Sequence, residues 1–312
     1  MLPLFALTLV SVLSTTLLRA GSARAASLIP RDTVAAPHFV IYSNGDVDGV
    51  LPDVSKVKGY NVFILSFLLS TGPSQQVLNW ANLDNATRTS LKKSYNDAGI
   101  KLLVSAFGSL EQPLSSGVDA ETAATNLAAQ VKQYGFDGID IDFEDYDAMD
   151  KDDGTAVAWL TTLTKTLRNE LPKDEYILTH TPVPWWFASV WNTGGYRKVN
   201  ENVGDLIDWY NIMFYNQETG SFEDCDSLLH SAVKHDSVME IKAAGIPVDK
   251  LVIGKPARQE DVNNGYMSSS TLTSCLSTAK GEGWSAGVMV WQYPYADSTW
   301  ISEVRAQSWP VS

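Results

Sequence analysis

Apolar and polar positions alternate without a break from Ile139 to Glu144. Ile139, Ile141 and Phe143 fall on one side and Asp140, Asp142 and Glu144 on the other, as successive side chains do along a β-strand. The apolar side predicts a parallel strand covered by helices; the acidic side must then line a polar interior. Like charges two residues apart on a strand sit only ~7 Å from one another and raise each other's pKa. The last of them, Glu144, falls where the strand runs out.

Seven further apolar, β-branched runs occur, at His38–Ser43, Val62–Leu68, Lys101–Phe107, Tyr176–Thr181, Trp209–Tyr215, Leu251–Gly254 and Gly287–Gln292. With Ile139–Phe143 they predict eight strands. Helical patterns lie between several of them. Asp84 caps one that carries Leu91, Tyr95 and Ala98 and stops at Gly99; Asp119 caps another that ends at Tyr134-Gly135. Ala156, Leu160, Leu163, Leu167 and Leu171 recur at helical spacing before Pro172. Eight strands alternating with helices predict an α/β fold, a (β/α)8 TIM barrel, as one domain over residues 37–312. Chemistry in such a barrel sits at the C-terminal ends of the strands, which is where Glu144 falls.

Residues 1–25 read as a secretory signal peptide. Leu2 to Leu18 is apolar or small, and Ala23-Arg24-Ala25 supplies the cleavage pattern. Residues 26–36 read as an irregular leader or short propeptide, and the mature protein is expected to be secreted, extracellular and monomeric. Loss of Arg19 and Arg24 would take the net charge from −13 to about −15, which argues against nucleic acid or an anionic membrane as partner. Ten Trp and twelve Tyr offer many flat faces of the kind sugar rings stack on, although most are expected in the core. Cys225 and Cys275 are the only cysteines, and export favours one disulfide. Asn85-Ala86-Thr87 is a glycosylation sequon.

The acidic row suits general acid catalysis, since a glutamate beside acidic neighbours can hold a proton near neutral pH. A solvated acidic face does not fit so uniformly apolar a partner side. A Ca²⁺ or Mg²⁺ site is the other rival, but such sites usually draw on loop ligands and turn chemistry that are missing here. The histidines lack metal-ligand spacing, and no metal or cofactor is expected. His180, ending the fifth run, is expected to be a hydrogen-bonded structural histidine. Trp185 and Trp186 could equally pack or meet substrate.

Asp137, Asp140, Asp142 and Glu144 match the Asp-x-x-Asp-x-Asp-x-Glu pattern, and the run resembles the signature of glycoside hydrolase family 18. That family contains chitinases, endo-β-N-acetylglucosaminidases and catalytically dead chitin lectins. Ser105-Ala106-Phe107-Gly108 resembles its Ser-x-Gly-Gly element with Phe107 in place of a glycine. Met213-Phe214-Tyr215-Asn216 resembles its Met-x-Tyr-Asp element with Asn216 replacing the aspartate. Gly287-Val288-Met289-Val290-Trp291 is similar to its closing strand.

The resemblance implies a substrate-assisted, retaining mechanism. Glu144 would be the proton donor, Asp142 would orient the acetamide nitrogen, Asp140 would support Asp142, and Tyr215 would hold the acetamide oxygen. Trp291, Asn216, Met213 and Tyr42 would bind substrate, with Trp291 as the floor under the sugar. Only 32 residues separate Gly254 from Gly287, too few for the α+β domain that larger members insert there, so a shallow, endo-acting groove is expected. The partner would be chitin or another oligosaccharide containing N-acetylglucosamine. The first expectation is an endochitinase. An endo-β-N-acetylglucosaminidase cutting the N-glycan core is the alternative, and a non-catalytic lectin is disfavoured by the presence of Glu144, Asp142 and Tyr215.

Overall fold

The computed structural model describes residues 34–45 and 49–311. The expected signal peptide, and the leader up to residue 33, lie outside the described residues. Eight parallel strands close on themselves: β1 (His38–Ser43), β2 (Val62–Leu69), β3 (Lys101–Phe107), β4 (Gly138–Asp142), β5 (Ile177–His180), β6 (Trp209–Met213), β7 (Leu251–Pro256) and β8 (Gly287–Trp291). Each pairs with its successor, and β1 pairs with β8 through His38 opposite Gly287 and Ile41 opposite Val290, so the barrel is closed. A two-residue antiparallel strand, Gly72–Pro73, extends β2 and was not expected from the pattern.

The expected strands agree with those observed to within two residues at each end. The largest differences, two residues each, are at β6, which stops at Met213 rather than Tyr215, and at β7, which runs to Pro256 rather than Gly254.

The helices begin where their capping groups stand. Asp84 accepts from Thr87 N–H at 2.9 Å and opens Asn85–Asp97; Asp119 accepts from Thr122 N–H at 2.9 Å and opens Ala120–Tyr134, which Gly135 ends with φ +74°. The helix Thr155–Glu170 turns Ala156, Leu160, Leu163 and Leu167 inward, and all are buried. The link between β7 and β8 holds a short 3-10 turn and the helix Ser269–Gly281, with no inserted domain. Cys225 and Cys275 form a disulfide, Cα–Cα 5.2 Å, joining the helix Cys225–Leu229 to Ser269–Gly281.

On β4 the two sides have the expected fates. Ile139, Ile141 and Phe143 are buried under the surrounding helices, while Asp140 and Asp142 point into the barrel. Gly138 begins the strand because nothing larger fits: a Cβ there would lie 2.1 Å from the Ile177 carbonyl oxygen.

Candidate active site

Asp140 sits at the centre of the barrel, fully buried, and five donors from neighbouring strands converge on it. Oδ2 accepts from Tyr42 OH at 2.7 Å and Ser105 Oγ at 2.9 Å; Oδ1 accepts from Thr179 Oγ1 at 2.5 Å, Thr181 Oγ1 at 2.7 Å and Asn211 Nδ2 at 3.2 Å. Its acceptor capacity is filled, the pattern of an anchored carboxylate.

Asp142, one step up the same face, is the opposite case. It is 4% exposed, and its buried Oδ1 has no hydrogen-bond partner among the described residues. Burial, then the charges of Glu144 and Asp140, holds its carboxyl well above the usual range. Glu144 lies just past the strand end, between β4 and an anchor: Asp145 is buried and accepts from Ser115 N–H at 2.7 Å and Ser115 Oγ at 2.6 Å. Burial pushes Glu144 up to about 7. A proton is thus held in the Asp142–Glu144 pair near neutral pH, beside an acceptor atom that lacks a donor.

Asp142 and Glu144 open into a cleft whose walls come from several strand ends. Trp291, Met213 and Tyr215 line it, as does Asn216. The Tyr215 phenol is raised by burial and by Asp142 and Glu144, so it stays a hydrogen-bond donor. Trp291 stacks with Phe67, ring centroids 6.1 Å apart and planes at 21°, and Phe67 itself lines the cleft. Asn216 is exposed, and its Oδ1 accepts from Asn263 N–H at 2.8 Å, which ties it to the loop after β7.

Tyr42, expected at the substrate, lies a layer deeper. It is 1% exposed, its hydroxyl is committed to Asp140 and Thr181, and its ring meets Trp291 at 5.9 Å. It therefore supports two site residues rather than forming the cleft wall. Asp137, the first acid of the motif, faces away from the cleft: it accepts from Leu102 N–H at 2.9 Å and pairs with Lys92 at 2.9 Å, joining β3 to the start of β4.

The chain is similar to known proteins. The model of the glycosyl hydrolases family 18 matches residues 38–303. The chain belongs to that family. It is therefore a glycoside hydrolase. Among its relatives, a chitinase of Enterococcus faecalis is 25% identical over 252 residues, covering 75% of this chain and 71% of that protein. Endochitinase 4 of Metarhizium anisopliae is 26% identical, covering 75% and 89%. Among solved structures, a family 18 chitinase from Pseudoalteromonas aurantia superposes with a TM-score of 0.69 at 28% identity, covering 86% of this chain and 99% of that one. A fungal endo-β-N-acetylglucosaminidase of family 18 shares the fold, with a TM-score of 0.61 at 20% identity, covering 87% and 98%.

Two positions of this family 18 hydrolase depart from the motif. Phe107, in place of a glycine, takes φ +73° and ψ −80°, a conformation a bulky residue rarely adopts, and its ring is buried against Trp159. The next position keeps glycine because a Cβ on Gly108 would lie 2.4 Å from the Phe67 ring, the ring that flanks Trp291. Asn216, in place of the aspartate, accepts the Asn263 N–H through its Oδ1.

Sequence reasoning missed Phe67, Ser109, Tyr146 and Asp261, which also line the cleft. Tyr146 follows Glu144 and was within reach as a neighbour of the motif; nothing in the spacing signals Asp261, which Arg258 holds through both carboxylate oxygens at 2.7–3.0 Å. Of the two tryptophans after β5, Trp186 is core, stacked on Tyr196 at 5.8 Å, and Trp185 is covered by the Lys234 ammonium at 4.1 Å. His180 is structural as expected, bonded to Thr164 Oγ1 and Tyr196 OH at 3.2 Å each and lowered to about 3, chiefly by burial.

Proposed function

We propose that this hydrolase is a secreted, endo-acting chitinase that cleaves β-1,4-linked N-acetylglucosamine with retention of configuration, the substrate's own acetamide acting as nucleophile. The observation that carries the reading is the buried, partnerless Oδ1 of Asp142 beside a Glu144 that keeps its proton to about pH 7. An acetamide N–H is the donor that Asp142 lacks.

In the first step Glu144 gives its proton to the glycosidic oxygen as the bond from that oxygen to the anomeric carbon breaks. The acetamide carbonyl oxygen attacks the same carbon from the other face, and an oxazolinium ion forms. Asp142 accepts the acetamide N–H and carries the charge that balances the ring; Tyr215 OH donates to the acetamide oxygen. Trp291 supplies the flat floor that holds the sugar against them. Glu144, now a carboxylate, takes a proton from water, whose oxygen attacks the anomeric carbon and reopens the ring. Two inversions leave the configuration unchanged. The other cleft carboxylate, Asp261, is bidentate to Arg258, and an acid so neutralised is a poor nucleophile.

Endo action is supported by the short β7–β8 link, which carries no inserted domain to deepen the cleft. Export is supported by the disulfide together with the apolar amino-terminal run.

The test gives the purified protein and its Glu144→Gln variant a chitin hexasaccharide and a high-mannose glycoprotein, with products read by mass. Cleaved hexasaccharide and intact glycoprotein are expected from the wild type, and loss of cleavage by about 10²- to 10⁴-fold from the variant. Glycans released so as to leave one N-acetylglucosamine on the protein would replace the chitinase reading with the endo-β-N-acetylglucosaminidase one. Binding without cleavage by the wild type would sink both.

A further inference from the structure

Tyr215 stands two residues beyond the last ladder pair of β6, Met213 opposite Gly254, so strand pairing does not fix its main chain. Another device does. The segments after β6 and β7 are stitched together residue by residue. Asn216 N–H donates to Asn264 O at 3.2 Å and Asn216 Oδ1 accepts from Asn263 N–H at 2.8 Å. Gln217 N–H donates to Asn264 Oδ1 at 2.9 Å, and Asn264 Nδ2 donates back to Gln217 O at 2.6 Å. Gly265, at φ +82°, lets the two segments touch: a Cβ there would lie 2.6 Å from Tyr215 Cα and 2.9 Å from the Phe214 carbonyl oxygen.

Beneath this seam lies Lys255, fully buried on β7. Its Nζ donates to Phe214 O at 3.0 Å, Phe222 O at 2.6 Å and Gly265 O at 2.8 Å. An ammonium has three protons, and all three go to main-chain oxygens of the two segments. Burying a cation is costly, and burial lowers this one to about 7. A site that needed only to be filled would carry an apolar side chain at no such cost.

We propose that Lys255 is a positioning residue. By bridging the carbonyls of Phe214, Phe222 and Gly265 it fixes the main chain at Tyr215, and through it the phenol that meets the substrate's acetamide. The role assigned to Tyr215 rests on the proposed function; the bridging by Lys255 is a separate claim.

A double-mutant cycle tests it. Lys255→Met, Tyr215→Phe and the double variant are assayed for kcat and KM on the N-acetylglucosamine hexamer, well below each melting temperature. Hexamer binding is measured by calorimetry in a Glu144→Gln background. Lys255→Met is expected to lower kcat about 10- to 100-fold, as a misplaced site group does. In the Tyr215→Phe background the same change should cost less than about twofold. Equal losses in both backgrounds, or a lower melting temperature with kcat unchanged, would reduce Lys255 to a stability residue. Should Lys255→Met not fold, Asn264→Ala cuts only the outer stitch and must show the same dependence on Tyr215. A wild type that binds hexamer without cleaving it would overturn the proposed function alone. The Lys255 claim would then be read from binding, weakened by Lys255→Met only while Tyr215 is present, and an equal weakening without Tyr215 would overturn it.

Discussion

Glu144 holds its proton to about pH 7 because burial penalises its charge, in a stretch where Asp142 and Asp140 already stand on the same strand face. Two consequences differ in kind. Activity that depends on the protonated acid should fall as pH rises through about 7, and kcat/KM measured from pH 5 to 9 checks this. Stability follows the same proton. A carboxyl raised in the folded state binds more protons folded than unfolded, so its contribution is present below the ordinary glutamate range and is lost as pH rises toward 7. Glu144→Gln removes that loss, and its melting temperature should exceed the wild type's by more at pH 8 than at pH 4. A pH-independent difference would show that Glu144 titrates normally. At Gly108 the constraint is steric. Gly108→Ala would drive a methyl into Phe67 and is expected to cost about 1–3 kcal/mol and to weaken hexamer binding by disturbing the ring beside Trp291. Unchanged binding by calorimetry would show that Phe67 yields without moving Trp291.

Among the elements, β4 is the one that positions the chemistry, and most of it was legible. Alternation at Ile139, Ile141 and Phe143 marked the covered side, and the acids opposite marked the interior. The cradle of Asp140 was not legible, because it draws residues from β1, β3, β5 and β6 that meet only once the barrel closes: Thr179 and Asn211 read locally as ordinary strand positions, Ser105 only as part of a motif, and Tyr42 as a substrate contact. Tyr42 was misplaced for that reason, since an aromatic near a strand end looks the same whether it meets substrate or a buried acid. On the helical layer, the Cys225–Cys275 bridge spans 50 residues and ties two helices that flank the β7–β8 side. Replacing both cysteines with alanine should lower stability by about 2–4 kcal/mol in urea unfolding while leaving kcat near the wild-type value. A large loss of kcat at full folding would mean that the bridge shapes the cleft.

At the scale of the whole molecule, periodicity and capping residues carried the fold, because a (β/α)8 barrel repeats one local pattern eight times and each repeat is written in its own stretch of chain. The cleft is a different kind of object. Its walls come from loops distant in sequence, so Asp261 beside Arg258, or the seam of Asn216 with Asn263 and Asn264, had no local signature to read. The same convergence is what makes the central claim testable. If the partnerless oxygen of Asp142 waits for an acetamide N–H, the 2-acetamido group is a reactant and not only a recognition handle. The most direct measurement compares cleavage of the fully acetylated hexamer with that of its de-N-acetylated glucosamine counterpart, with the anomer of the first-formed product followed by NMR. Cleavage of the acetylated hexamer alone, with the β-anomer appearing first, is the predicted result. Comparable turnover of both substrates, or initial release of the α-anomer, would contradict substrate assistance and require a second carboxylate in the reaction.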